Sequence, residues 1–243
     1  MLLLPAIDLM AGQVVRLKQG RATEKTVYSE DPPEVARQWE AIGGDWLHIV
    51  DLDAAFEGNP RNMASVRAIC QAVTIPCELG GGMRSKSAIR AALEAGVSRV
   101  VLGTCASESL EFVREMCRAF GDERIAIGID ACNGLIATKG WTHRTSQHAS
   151  DLALAIQEIG VSTIVYTDIT ADGMLQGPNF SGLSFLLSLL SCQLIASGGI
   201  SSVEDLQRLN AMMPRPYGSI IGRALYDGRI KGDLRGALSP LGE

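Results

Sequence analysis

The chain has 243 residues and a formal net charge of −5, with 47% hydrophobic residues. That length admits one large domain or two small ones, with a core large enough to need no staples. The acidic balance excludes non-specific nucleic-acid binding and gives no sign of a membrane-seeking surface.

Six cysteines (Cys70, Cys77, Cys105, Cys117, Cys132 and Cys192) show no C-x-x-C spacing, and there are only His48, His143 and His148 beside them. A zinc site therefore has little support, and none is expected. Scattered single cysteines read as reduced core residues of a cytosolic protein. The apolar start, Met1-Leu2-Leu3-Leu4-Pro5, stops at Asp8 without a basic leader or cleavage site, so it does not read as a signal peptide. No run approaches the roughly 18 apolar residues of a membrane span.

In chain order, Leu2-Leu3-Leu4-Pro5-Ala6-Ile7-Asp8 reads as a buried parallel strand ending in a carboxylate. Gln13 to Leu17 suggests a small hairpin arm, and the polar stretch 18–30, with Gly20, a mobile loop. Asp31-Pro32-Pro33 opens a helix that Gly43-Gly44 stops. Trp46 to Asp51 is the second strand, followed by a helix over about 62–73. Ile75 to Leu79 is the third, running into Gly80-Gly81-Gly82-Met83-Arg84-Ser85, with Ser85 as the next helix cap.

Ser98 to Leu102 is the fourth strand and ends in Gly103-Thr104. A helix is expected from Ser107 to Phe120. Ile125 to Asp130, Val161 to Asp168, Gln193 to Ser197 and Gly218 to Ile221 are strands five to eight. Helices near 150–159, 180–190 and 202–209 lie between them, the last with a Ser201-x-x-Glu204 capping pattern. Eight alternations of strand and helix predict an α/β fold, a single (β/α)₈ TIM barrel spanning 1–243.

Landmarks recur in order: Asp8 as Asp130, Asp51 as Asp168, Gly81 as Gly198 and Gly103 as Gly222, each about 120 residues on. This pattern predicts a duplicated half-barrel, with halves of about 1–121 and 122–243. Two independent α/β domains would each leave open sheet edges.

The glycine pairs carry the first functional signal. Glycine lets backbone N–H groups approach a ligand, a helix start behind it favours an anion, and the loops after strands seven and eight of a barrel form its usual phosphate site. Gly198, Gly199, Gly222 and Arg223 make one such module; Gly81, Gly82, Gly103 and Thr104 repeat it. Two modules imply a ligand with two phosphates. Arg84 and Arg223 follow the loops and suit phosphate support, although surface ion pairs are a common fate of arginine. Arg16 lies on the possible arm.

Asp8 and Asp130 end strands one and five, opposite each other at the barrel mouth, and suit paired acid–base work. Strand-end aspartates also cap helices; for Asp51 and Asp168 that supporting role comes first. Thr167, Asp172 and Gly173 lie on the loop after strand six, where Asp172-Gly173 equally reads as a turn. Trp141 fits either stacking on a planar ligand or packing on the rim. Cys132 lacks an evident base and reads as an unreactive thiol.

The combination Pro5-Ala6-Ile7-Asp8-Leu9, Val15-Arg16-Leu17-x-Gln19-Gly20, Leu47-His48-Ile49-Val50-Asp51, Gly80-Gly81-Gly82-Met83-Arg84, Gly140-Trp141, Thr167-Asp168-Ile169, Asp172-Gly173, Ser197-Gly198-Gly199 and Gly222-Arg223-Ala224-Leu225 resembles the phosphoribosylformimino-5-aminoimidazole carboxamide ribotide isomerases of histidine biosynthesis. The resemblance runs from about 2 to 228. It implies a cytoplasmic (β/α)₈ enzyme, here expected to be monomeric, that takes a bisphosphate substrate without metal or organic cofactor. The implied reaction is an Amadori rearrangement of an aminoaldose to an aminoketose. By resemblance, Asp8 is the base at C2′, Asp130 the acid, Thr167 and Asp172 assist or share the acid role, and Trp141 stacks on substrate. Gly20-Arg21-Ala22 and Cys132 depart from the family pattern. Activity on phosphoribosylanthranilate, a sister cyclase, and a non-catalytic sugar-phosphate-binding barrel remain alternatives.

Overall fold

A computed structural model describes residues 1–18, 21–58 and 60–238. The apolar runs ending in aspartate, serine or glycine form eight parallel strands: β1 (Leu2–Met10), β4 (Leu47–Asp51), β5 (Cys77–Gly80), β6 (Arg99–Leu102), β7 (Ile125–Cys132), β10 (Thr163–Asp168), β11 (Gln193–Ser197) and β12 (Gly218–Ile221). They neighbour one another in chain order. β12 pairs with β1 and β10 with β7, which closes the ring into a (β/α)₈ barrel.

The intervening helices are α1 (Pro32–Ala41), α2 (Leu52–Glu57), α3 (Met63–Ala72), α4 (Lys86–Glu94), α5 (Thr104–Glu108), α6 (Leu110–Phe120), α7 (Ala149–Ile159), α8 (Phe180–Leu189), α9 (Val203–Asn210) and α10 (Arg223–Tyr226). Buried leucine, isoleucine and valine pack between strands and helices as one cluster. Leu4, Ala6, Val101, Ala126, Val165, Ile195 and Ile220 form a second cluster inside the ring. Side chains two apart on a strand share a face. The inward set that includes Leu4 and Ala6 therefore continues to Asp8, and the set with Ala126 continues through Gly128 to Asp130.

Two hairpins rise from the mouth. β2 (Gln13–Lys18) pairs antiparallel with β1 and with β3 (Arg21–Ser29). β8 (Leu135–Thr138) and β9 (His143–His148) follow β7 in the same way. Each turns through a pair at positive φ, Ala11-Gly12 and Asn133-Gly134, which suits a two-residue hairpin. The stretch 18–30, expected as a loop, is thus largely strand. Residues 24–28 are exposed, so no apolar alternation marks them. Gln19 and Gly20 of the resemblance motif lie outside the described residues, as do the side chains of Arg21 and Ala22.

Other boundaries move for local reasons. The helix expected from Ser107 starts at Thr104 and breaks at Ser109, whose hydroxyl caps α6 by accepting from Phe112 N at 3.1 Å. The last capping motif is shifted by one residue: Ser202 caps α9 at Asp205 N, while Asp205 Oδ2 accepts from Ser201 N and Oγ at 2.8 and 2.7 Å. Helix α2 lies in a stretch where no helix was expected. The caps read at Asp31 and Ser85 are present, accepting from Glu34 N and Ala88 N.

Helices also grip the strand entrances. On α1, Glu40 Oε1 accepts from Thr74 N, Thr74 Oγ1 and Ile75 N at 2.7, 2.6 and 3.1 Å. On α7, Gln157 Oε1 accepts from Ser191 N, Ser191 Oγ and Cys192 N at 2.6, 3.1 and 3.1 Å.

Candidate active site

The strand C-termini surround a cavity of about 250 Å³. It is bordered by Arg16, Asp130, Thr167, Asp172, Trp141, Gly173, both glycine modules, Thr104, Arg84 and Arg223. Every site residue named from sequence therefore borders one space except Asp8, which reaches it through a partner: Arg16 Nη1 donates to Asp8 Oδ2 at 2.8 Å. Burial works against the Arg16 charge, but Asp8 and Asp172 outweigh it and hold the guanidinium charged.

Asp130 accepts from the Trp141 indole N–H at 2.8 Å. Burial raises its carboxyl above the usual range, while Trp141, the Thr167 hydroxyl and His48 oppose the rise. Burial raises Asp172 as well; Arg16 and His48 pull it down, and Asp8 and Asp130 push it up. The mouth thus holds one carboxylate in an ion pair and two carboxyls that burial raises above the usual aspartate range. Such a division suits proton transfer in both directions.

The glycine modules are built by close backbone approach. At Gly81 (φ +89°) a β-carbon would overlap the Asp51 carbonyl oxygen, and at Gly198 (φ +93°) it would lie 2.5 Å from the Asp168 carbonyl oxygen. Asp51 and Asp168 support these loops. Asp51 accepts from Ala54 N and Asn62 Nδ2, and Asp168 from Thr170 N and Asn179 Nδ2. Thr104 Oγ1 accepts from Lys139 N at 3.1 Å, and Arg223 Nη1 donates to Gly173 O at 2.8 Å. Arg84 donates to Ala55 O at 3.0 Å. Cys132 is buried beside Ala137, Ile169 and Trp141, and His143 and His148 are exposed.

Sequence reasoning missed the polar chain beneath the mouth. His48 borders the cavity, and its Nδ1 lies 2.6 Å from Glu78 Oε1. Arg99 donates to Glu78 Oε2 from Nε at 3.0 Å and Nη2 at 2.6 Å, and stacks over Trp46 at 4.5 Å. The parity of each strand places all three side chains inside the barrel, a signal that was available from spacing. Phe56 also went unremarked as a cavity-lining side chain; it packs against Gly140 beside Trp141. Among the described residues, no cluster of three or more His, Cys, Asp or Glu could hold a metal, and no helix is long and apolar enough to cross a membrane.

A closed (β/α)₈ ring with paired glycine loops and inward carboxyl groups at one mouth defines a barrel of the kind that carries acid–base chemistry at its strand C-termini. Residues 2–231 match the family described as histidine biosynthesis protein, and the chain belongs to that family. It is 50% identical over 99% of its length to a protein of Symbiobacterium thermophilum, and 49% identical over 98% to one of Syntrophotalea carbinolica. The alignments cover 97% and 98% of those proteins. Both relatives are named 1-(5-phosphoribosyl)-5-((5-phosphoribosylamino)methylideneamino)imidazole-4-carboxamide isomerase.

Proposed function

We propose that this chain catalyses the aldose–ketose isomerisation for which those relatives are named, an Amadori rearrangement. The observation that carries the reading is the placement of Asp8, Asp130 and Asp172 around one mouth between two glycine modules. The relatives' name specifies two phosphoribosyl groups, which matches two phosphate sites: Gly81, Gly82, Arg84, Gly103 and Thr104 on one side, Gly198, Gly199, Gly222 and Arg223 on the other. The ligand spans the mouth, so its reacting ribose lies among the carboxyl groups.

A protonated carboxyl gives its proton to the ring oxygen, and the C1′–O bond opens to a C1′=N Schiff base. Asp8 removes the proton from C2′, leaving an enaminol. Proton return to C1′ and loss of the hydroxyl proton give the C2′ ketone. C1′ is reduced by one level as C2′ is oxidised by one, so no outside oxidant enters the balance. Of the two raised carboxyls, Asp130 receives an N–H that favours its anion. Asp172 receives no side-chain hydrogen bond from the described residues. We assign the acid role to the Asp130 and Asp172 pair, with Thr167 supporting it and Trp141 leaving Asp130 to stack on substrate.

We further infer that 1–121 and 122–243 are copies of one half-barrel. Matching hairpin turns, the matching bonds of Asp51 with Asn62 and Asp168 with Asn179, and the matching grips of Glu40 and Gln157 support this. The deciding experiment is an isomerase assay of the purified protein with the bisphosphate aminoaldose, with phosphoribosylanthranilate as a second substrate. Turnover of the first is expected; binding without turnover would leave only a sugar-phosphate-binding barrel.

A further inference from the structure

We propose that Asp227 is a positioning residue: it fixes Arg223 on the Gly173 carbonyl, holds the Asp172 loop in place, and links that loop to the β2–β3 arm. The proposal rests on the isomerase reading for its catalytic consequence but not for its geometry.

Asp227 follows α10, and both of its carboxylate oxygens are occupied. Oδ2 accepts from Arg223 Nε at 2.9 Å, and Oδ1 accepts from Tyr28 Oη at 2.9 Å. Arg223 Nη1 then donates to Gly173 O at 2.8 Å. An exposed Arg–Asp pair one helical turn apart would by itself contribute little and carry no meaning. Here the pair is not a local surface contact. One group reaches a carbonyl 50 residues away, and the other receives a hydroxyl from 199 residues away.

The planar guanidinium makes the link directional. With Nε on Asp227, the fork can rotate little, so Nη1 is aimed at Gly173. Gly173 has φ +69° and directly follows Asp172. Backbone bonds from Ala171 N and Asp172 N to Asp168 O and from Gly177 N to Gly199 O tie the loop near its ends. Arg223 supplies the tie at its middle.

The arm enters from the other side. Tyr28, on β3, lies with its ring 4.7 Å from that of Tyr226, which in turn meets Trp39 edge-on at 5.1 Å. Tyr226 Oη donates to Ala6 O at 2.8 Å. The arm that brings Arg16 to Asp8 is therefore anchored by the same contact that steadies Arg223. Docking of one hairpin sets the surroundings of both Asp8 and Asp172.

The test uses Asp227→Asn and Tyr28→Phe in the full chain. Asp227→Asn is expected to lower kcat roughly tenfold or more while KM changes less than about twofold, and to shift the alkaline limb of the pH–rate profile. Tyr28→Phe should act in the same direction but less, and the double variant no worse than Asp227→Asn alone. Amide exchange at 171–174 should quicken in Asp227→Asn with its melting temperature unchanged. Wild-type exchange in that segment overturns the proposal, and so does a rise in KM with kcat intact, which would reduce the pair to phosphate binding. If the wild-type protein does not turn over the aminoaldose, the isomerase reading fails, and the exchange measurement still decides the positioning role.

Discussion

The guanidinium of Arg16 rests against Gly222, where any β-carbon would collide with it, while its Nη1 holds Asp8 at 2.8 Å. One side chain thus joins a glycine of the second glycine module to the proposed base. A β-carbon at position 222 would push that guanidinium aside, and with it the partner of Asp8.

Gly222→Ala should therefore displace Arg16. The expected result is at least about a tenfold loss of bisphosphate affinity with a fall in kcat, since misplacement of about 1 Å at a reacting group costs up to roughly 10²-fold. Calorimetric titration and steady-state kinetics check this. Affinity and kcat both at wild-type level would refute the link.

Asp8→Asn keeps size and removes the base. Turnover should fall roughly 10²–10⁴-fold, the usual contribution of one general acid–base group. Ligand affinity should stay within a few-fold, because the proposed phosphate loops are untouched. Parallel binding and rate measurements separate the two effects; full turnover in the variant would exclude Asp8 as base.

Asp172→Asn should trade activity for stability. Burial raises the folded value of Asp172, so folding favours its protonated form. That contribution is intact below the unfolded aspartate value of about 4 and is lost as pH rises through the folded value. The variant should show a flatter melting-temperature curve across weakly acidic pH and a higher melting temperature at pH 7, at roughly 2–4 °C per kcal/mol. Its turnover should drop roughly 10²-fold or more. A melting temperature lower than wild type at pH 7 contradicts the assignment.

Glu78→Gln should be costly to stability. Glu78 is fully buried between His48 and Arg99. Burial opposes its charge, but His48 and Arg99 outweigh it and hold the carboxyl below its ordinary range. Breaking a buried pair typically costs about 3–5 kcal/mol, because the remaining charge is uncompensated. Stability from Glu78 is present above the unfolded glutamate value near 4.3 and lost as pH falls through the folded one. Wild type and variant should therefore converge in acid-unfolding curves; equal stability at pH 7 would show the pair to be dispensable.

Sequence alone revealed the features that repeat or that punctuate apolar runs. Asp8 and Asp130 were legible because each closes an apolar run, although β1 and β7 continue two residues past them into the hairpins, and the glycine modules because a doublet breaks a hydrophobic run. β3 was not legible: a strand exposed along residues 24–28 has no apolar period to read. The hairpin β8–β9 was hidden for the same reason, since β9 is almost wholly exposed. His48, Glu78 and Arg99 stand singly among apolar neighbours, and only their shared parity across three strands brings them together. The Ser202 cap was misread by one residue because adjacent serines offer two registers, and Asp205 selects between them.

The grips of Glu40 and Gln157 amount to a comparison that the molecule performs on itself. A carboxylate oxygen at one strand entrance and an amide oxygen at the other each accept the same three bonds, two backbone N–H groups and a hydroxyl. Both joints use an acceptor at the right reach, and on the Glu40 side the donated bonds, led by the Thr74 hydroxyl, also hold the carboxyl below its ordinary range. A glutamate at one entrance and a glutamine at the other thus make the same joint, which sets these scaffold contacts apart from the mouth, where the proposed chemistry needs carboxyl groups.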